Sequence, residues 1–220
     1  MPTRIPRPRP SPSRRAPVQG RALQTVDAIL QATAQVLVKD GEAALTTNRI
    51  AERAGVSVGT LYQYFPDKQA VFRALLDAER QHAVATLDAW LVEVTQRRLG
   101  VSAAAEGIVS RAFEAFAGRT PARRKLARFL WRQDSDETIA LALRATIERI
   151  AVRLQDASGS AVPLERLFVV TRAVLGTLRY ASLEASPLVA SGALEPLLVE
   201  MSVSMMTPMA SPRRRPRRTG

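Results

Sequence analysis

The sequence has no cysteine and one histidine, His82, in 220 residues. Disulfides and thiolate metal sites are therefore excluded. A lone histidine on a helix flank lacks the second ligand that a metal site requires. No metal and no cofactor are expected. The absence of cysteine fits a reducing, cytoplasmic setting. No run approaches the ~18 apolar residues needed for a membrane helix. The Arg- and Pro-rich amino-terminal stretch has no apolar segment of the kind a secretory signal carries. A soluble, cytoplasmic protein with no membrane partner is expected. No stretch alternates apolar and polar residues at period two, and there is no internal repeat, so strands and solenoids are not expected.

Acids are missing from both ends. Arg4, Arg7, Arg9, Arg14 and Arg15 open the chain, and Arg213, Arg214, Arg215, Arg217 and Arg218 close it. These ten residues account for most of the net charge of +12, leaving a nearly neutral body. Basic arms suit a polyanion, because each phosphate contact releases counterions; solubilising tails are the alternative. Residues 1–19 also hold six prolines. A disordered basic arm over 1–20 and a disordered basic tail over 208–220 are expected, since neither stretch can bury enough apolar surface to offset ordering.

What lies between reads as helix. Leu23, Val26, Ile29, Leu30, Ala34 and Leu37 form a stripe at helical spacing, and Gly41 ends it. A short helix starts near Thr46, carries Ile50, Ala51 and Ala54, and is broken by Gly55. A third runs from Ser57 to Tyr64. Pro66 stops it, and Asp67 caps a long fourth helix reaching about residue 97. Further helices are expected at about 102–117, 121–133, 136–157, 163–185 and 191–207, punctuated by Gly100, Pro121, Gly159, Pro163, Pro187 and Gly192.

The informative segment is L-T-T-N-R-I-A-E-R-A-G-V-S-V-G-T-L-Y-Q-Y-F-P-D-K, Leu45 to Lys68. Two short helices flank A-G-V-S. Gly55 supplies a conformation that residues with a Cβ resist, and Ser57 accepts from the next helix's free N–H groups. This is helix-turn-helix patterning. Ile50, Ala54, Val56, Leu61 and Phe65 are expected in the core. Val58, Gly59, Thr60, Tyr62, Gln63 and Tyr64 are left outside. A glycine inside a two-turn helix costs ~1 kcal/mol against alanine, and two exposed tyrosines are unusual on a solvated face. A DNA groove accounts for both: small residues admit base edges and phenols reach phosphates. Lys68 opposes the dipole of its own helix, unless a phosphate sits there.

Arg21 to Arg80 resembles the DNA-binding domain of the TetR family of transcriptional regulators. The resemblance rests on the first-helix pattern, T-T-N-R-I-A-E-R-A-G-V-S-V-G-T-L-Y-Q-Y-F and P-D-K-Q-A-V-F. It implies an all-α protein: a three-helix reader over 21–81, then a helical effector-binding and dimerisation domain over 82–207. It implies DNA contacts at Thr46, Thr47, Ser57, Val58, Gly59, Thr60, Tyr62, Tyr64 and Lys68. It further implies a homodimer on a palindromic double-stranded operator, released when a small-molecule effector binds.

Residues 82–207 carry no comparable motif. Trp90, Phe113, Phe116, Trp131 and Tyr180 are candidates for lining an effector pocket, with plain core packing as the alternative. Asp134, Asp136 and Glu137 read as a helix start rather than a catalytic cluster. The two apolar helices in 163–207 suit a homodimer interface, with Leu175 and Leu198 as candidate partner-facing residues and Gly176 as a close-approach point; an intrachain core has the same pattern. Two other functions are weighed: a nucleoid-type protein binding DNA without sequence choice, and a helix-turn-helix DNA-acting enzyme, for which no motif supplies base and nucleophile together.

Overall fold

The computed structural model describes residues 15–158 and 163–207. Among them there are ten α-helices and no strand: α1 (Arg15–Asp40), α2 (Thr47–Ala54), α3 (Val58–Tyr64), α4 (Lys68–Arg97), α5 (Val101–Phe116), α6 (Pro121–Gln133), α7 (Asp136–Ser158), α8 (Leu164–Leu183), α9 (Pro187–Ser191) and α10 (Leu194–Met206). The expected all-α class is observed. The chain divides into two units, one made of residues up to Val36 with Asp40–Leu75, the other of Leu37–Lys39 with Leu76 onward.

In the first unit, α1 begins at Arg15, inside the stretch expected to be irregular up to residue 20. The arm before it, and the tail from 208, lie outside the described residues. The buried face of α1 is Ile29, Ala32, Thr33, Val36 and Leu37. Of the stripe read from the sequence, Ile29 and Leu37 are buried and Val26, Leu30 and Ala34 half-buried, whereas Leu23 is 66% exposed. Thr33 enters the core because its hydroxyl donates to the Ile29 carbonyl at 2.7 Å, leaving no polar group unmet. Thr46 caps α2 by accepting from the Arg49 N–H at 3.2 Å. Gly55 ends α2 at φ 69°, the left-handed region that glycine enters without a Cβ penalty. Asp67 accepts from the Ala70 N–H at 2.7 Å and starts α4. Leu45, Ile50, Ala51, Leu61, Phe65, Val71, Phe72 and Leu75 are buried as well. Ala54 and Val56, expected in the core, are half-buried.

The second unit has two clusters of buried side chains. Leu91, Val94, Ala104, Ile147, Ile150, Leu154 and Leu167 join α4, α5, α7 and α8. Val109, Phe113, Val174, Leu178, Val189 and Leu198 join α5, α8, α9 and α10. At the end of α5, the Phe116 carbonyl accepts from Trp131 Nε1 at 2.8 Å and Ser182 Oγ at 3.0 Å. Gly118 follows at φ 79°, where a Cβ would lie 2.6 Å from that of Arg123. The helices expected from punctuation are present within a few residues of their bounds. The exception is α9, capped by Ser186 and ended by Gly192 at φ 78°; five residues are too few to show a period. No helix among the described residues is long and apolar enough to cross a membrane.

Candidate functional site

Helix α3 presents a face built from hydroxyls and a glycine. Ser57 caps it, accepting from the Thr60 N–H at 2.9 Å, while the two side-chain oxygens lie 2.8 Å apart. Gly59 is exposed, and a Cβ there would meet only Ser57 Oγ, at 3.7 Å. Nothing inside the unit therefore calls for glycine at this position. Tyr62 is 49% exposed, and its Oη lies 3.2 Å from Thr47 Oγ1 at the start of α2. Tyr64 is exposed, Val58 and Thr60 are half-buried, and Gln63 points to solvent. Lys68 opens α4 with its ammonium 5.7 Å from the Phe72 ring centroid. Thr46, Thr47, Ser57, Val58, Gly59, Thr60, Tyr62 and Tyr64 thus lie on α2 and α3 or at their caps, and none of them is buried. The Thr47–Tyr62 contact is not signalled in the sequence, because it spans 15 residues and depends on how the two helices cross.

The second unit holds a cavity of about 170 Å³, walled by α4, α5, α6, α7, α8 and α10. Its lining is aliphatic apart from a few groups, and its charged members are Arg80, Arg111 and Asp134. Of the candidate effector residues, Phe116 and Trp131 line it, with ring centroids 5.4 Å apart. Trp90, Phe113 and Tyr180 do not. Phe113 is buried in the α5–α8–α10 cluster. Tyr180 is 64% exposed on α8. Trp90 lies flat against α5, its Nε1 donating to the Ala104 carbonyl at 3.2 Å; a Cβ on Gly107 would fall 2.1 Å from the ring. Arg111 stacks on the same ring, its Cζ 4.3 Å from the centroid, and its Nη1 donates to the Gly107 carbonyl at 3.0 Å.

Asp134 corrects the sequence reading. Ser135 makes the cap of α7, accepting from the Thr138 N–H at 3.2 Å. Asp134 instead pairs with Arg80, which also bonds Asp77 at 2.9 Å. Arg80 is 54 residues away in the chain, so local pattern gives no hint of it. A second cavity of about 30 Å³ shares Arg80, Phe116, Trp131 and Asp134 with the first. His82 is exposed on α4. Among the described residues no group of three His, Asp or Glu is placed to hold a metal ion.

Helix α8 carries an outward stripe at four-residue spacing, Leu164, Phe168, Arg172, Gly176 and Tyr180, and Leu197 on α10 is also exposed. The two residues chosen from the sequence face elsewhere: Leu175 lines the cavity and Leu198 is 4% exposed in the core.

A helix-turn-helix unit followed by an all-helical unit containing a cavity defines a two-part helical class. Residues 29–75 match the bacterial regulatory proteins of the tetR family, so the chain carries a TetR-family amino-terminal domain on a TetR-like fold. It is 50% identical over 48 residues to the uncharacterized HTH-type transcriptional regulator YvkB of Bacillus subtilis, covering 22% of this chain and 25% of that one. It is 42% identical over 60 residues to the HTH-type transcriptional repressor KstR of Mycolicibacterium smegmatis, covering 27% and 29%. The matched stretch thus spans about a quarter of the length of these curated relatives. The crystal structure of a candidate TetR-family transcriptional regulator from Mesorhizobium loti shares the fold at a TM-score of 0.66 and 16% identity, covering 84% of this chain and 96% of that one.

Proposed function

We propose that the chain is a sequence-specific, DNA-binding transcriptional regulator, acting as a repressor in the cytoplasm. The observation that carries this reading is the exposed face of α3, where Gly59 has no internal reason to be glycine and Tyr62 stands beside it. A recognition helix placed in the major groove needs small residues near the base edges and donors at the phosphates. Thr46, Thr47, Ser57, Val58, Thr60, Tyr64 and Lys68 complete the contact set. One two-turn helix reads too few base pairs for useful affinity, so the reading includes a homodimer on a palindromic operator. The outward stripe of α8, apolar but for Arg172 stacked on Phe168, and Leu197 of α10, all inside residues 163–207, support that interface. The cavity of about 170 Å³ supports a small-molecule effector. Helix α4 has residues in both units, and the effector acts by favouring one of its dispositions over another. The shift it causes is bounded by its differential affinity for the two states.

The test compares affinity for DNA from upstream of the chain's own gene with affinity for random duplex at one salt concentration. A preference of a thousandfold or more is the expected order for a specific regulator. Equal affinities would reject the regulator reading in favour of a nucleoid-type binder.

A further inference from the structure

We propose that the cavity of the second unit takes a small apolar molecule with one carboxylate head, and that Arg111 binds the head. This deepens the effector reading and rests on it only for the cavity being a binding site. Three charged residues line the cavity. Arg80 is already engaged by Asp77 and Asp134, and Asp134 is answered by Arg80. Arg111 has no carboxylate partner among the described residues. Its guanidinium is nonetheless held in place, stacked on Trp90 and tied through Nη1 to the Gly107 carbonyl. The stack exists because Gly107 lets the indole lie against α5. Arg111 thus brings to a largely apolar cavity a planar donor fork to which the protein supplies no anion. A guanidinium fork matches the two oxygens of a carboxylate. Other polar groups of the lining already have partners: Arg80 pairs with Asp134, and the Thr146 and Ser202 hydroxyls donate to the carbonyls of Ala142 and Leu198. The volume of about 170 Å³ sets the size: an apolar cavity of about 150 Å³ holds benzene, so the apolar body has on the order of six to ten heavy atoms.

The experiment titrates the full-length protein with octanoate, 1-octanol and octylamine, which share a chain and differ in the head. Binding is read by calorimetry and by tryptophan emission, Trp131 being on the lining. Octanoate should bind about tenfold to a hundredfold more tightly than octanol, the range a charged hydrogen bond gives. Octylamine should bind most weakly. In Arg111→Gln the octanoate-to-octanol ratio should fall to near one; in Arg111→Lys, which keeps the charge but not the fork, it should lie between. Equal affinities for octanoate and octanol in the wild type would overturn the assigned head and leave the cavity reading intact. Tightest binding by octylamine would give the head to Asp134 and overturn the proposal. Binding of none of the three would remove both the proposal and the cavity as a ligand site. Should Arg111→Gln fail to fold, the wild-type series and Arg111→Lys decide. Whether any bound probe changes DNA affinity is measured separately, and tests the effector reading alone.

Discussion

Thr47 Oγ1 and Tyr62 Oη lie 3.2 Å apart, joining the first residue of α2 to the exposed face of α3. The contact sets the phenol's direction from the partner helix of the turn. Tyr62→Ala should weaken operator binding by ~1–3 kcal/mol. Thr47→Val, which leaves the phenol in place but unguided, should cost about 0.5–1.5 kcal/mol. Fluorescence anisotropy with a labelled duplex at fixed salt reads both. Unchanged affinity for Tyr62→Ala would remove Tyr62 from the contact set.

Gly59→Ala separates folding from DNA binding. The added methyl meets only Ser57 Oγ at 3.7 Å, so the free protein should gain up to ~1 kcal/mol in stability from helix propensity. Operator affinity should fall. A thermal melt and the same anisotropy titration give the two signs. A variant that is both more stable and equally tight on DNA would mean the glycine does not face the groove.

Phe168→Arg and Leu197→Arg each add a charge at an exposed apolar position, one on α8 beside Arg172 and one on α10. Each should give folded monomers in light scattering if the dimer forms there, because an unpaired charge is costly to bury in an interface. Leu198→Arg should behave differently: the residue is in the core of its own unit, so unfolding is expected. A monomeric wild type at micromolar concentration would end the dimer reading.

Gly107→Ala drives a methyl into the Trp90 ring, and the indole must leave its place on α5. A loss of roughly 1–3 kcal/mol is expected, the usual cost of overpacking. Trp90 also supports Arg111, so the carboxylate preference should fall with it. An unshifted melting temperature would show that the ring has somewhere else to go.

The helix-turn-helix unit is largely legible in the sequence, because its signals are local. Thr46, Gly55, Ser57 and Asp67 each set a helix end through their own backbone or a neighbour two or three residues away. On α1 the helical stripe finds Ile29 and Leu37 in the core but also includes the exposed Leu23, and it passes over a hydroxyl residue, Thr33, which takes a core place by bonding its own helix. In the second unit the helix bounds were read from Gly and Pro, but the cavity was not. Aromatic content pointed equally at Phe116 and Phe113, and only the packing of α5 against α8 and α10 turns one toward the cavity and the other into the core. The pairing of Arg80 with Asp134, and the stacking of Arg111 on Trp90, depend on contacts between helices distant in the chain. No local pattern carries them.

The double acceptor at Phe116 has a consequence for how the cavity adapts. One carbonyl ties α5 to α6 and α8, and the next turn, at Gly118, has no room for so much as a methyl group. This corner cannot yield. The opposite wall is different: α7 is anchored by Ile147, Ile150 and Leu154 in its second half, while its described side chains from Glu137 to Thr146 include none that is buried. On the proposed effector reading, a bulkier guest should find space on the side of α7 that anchors no buried side chain, so tolerance for guest size is expected in the half-helix that follows Ser135.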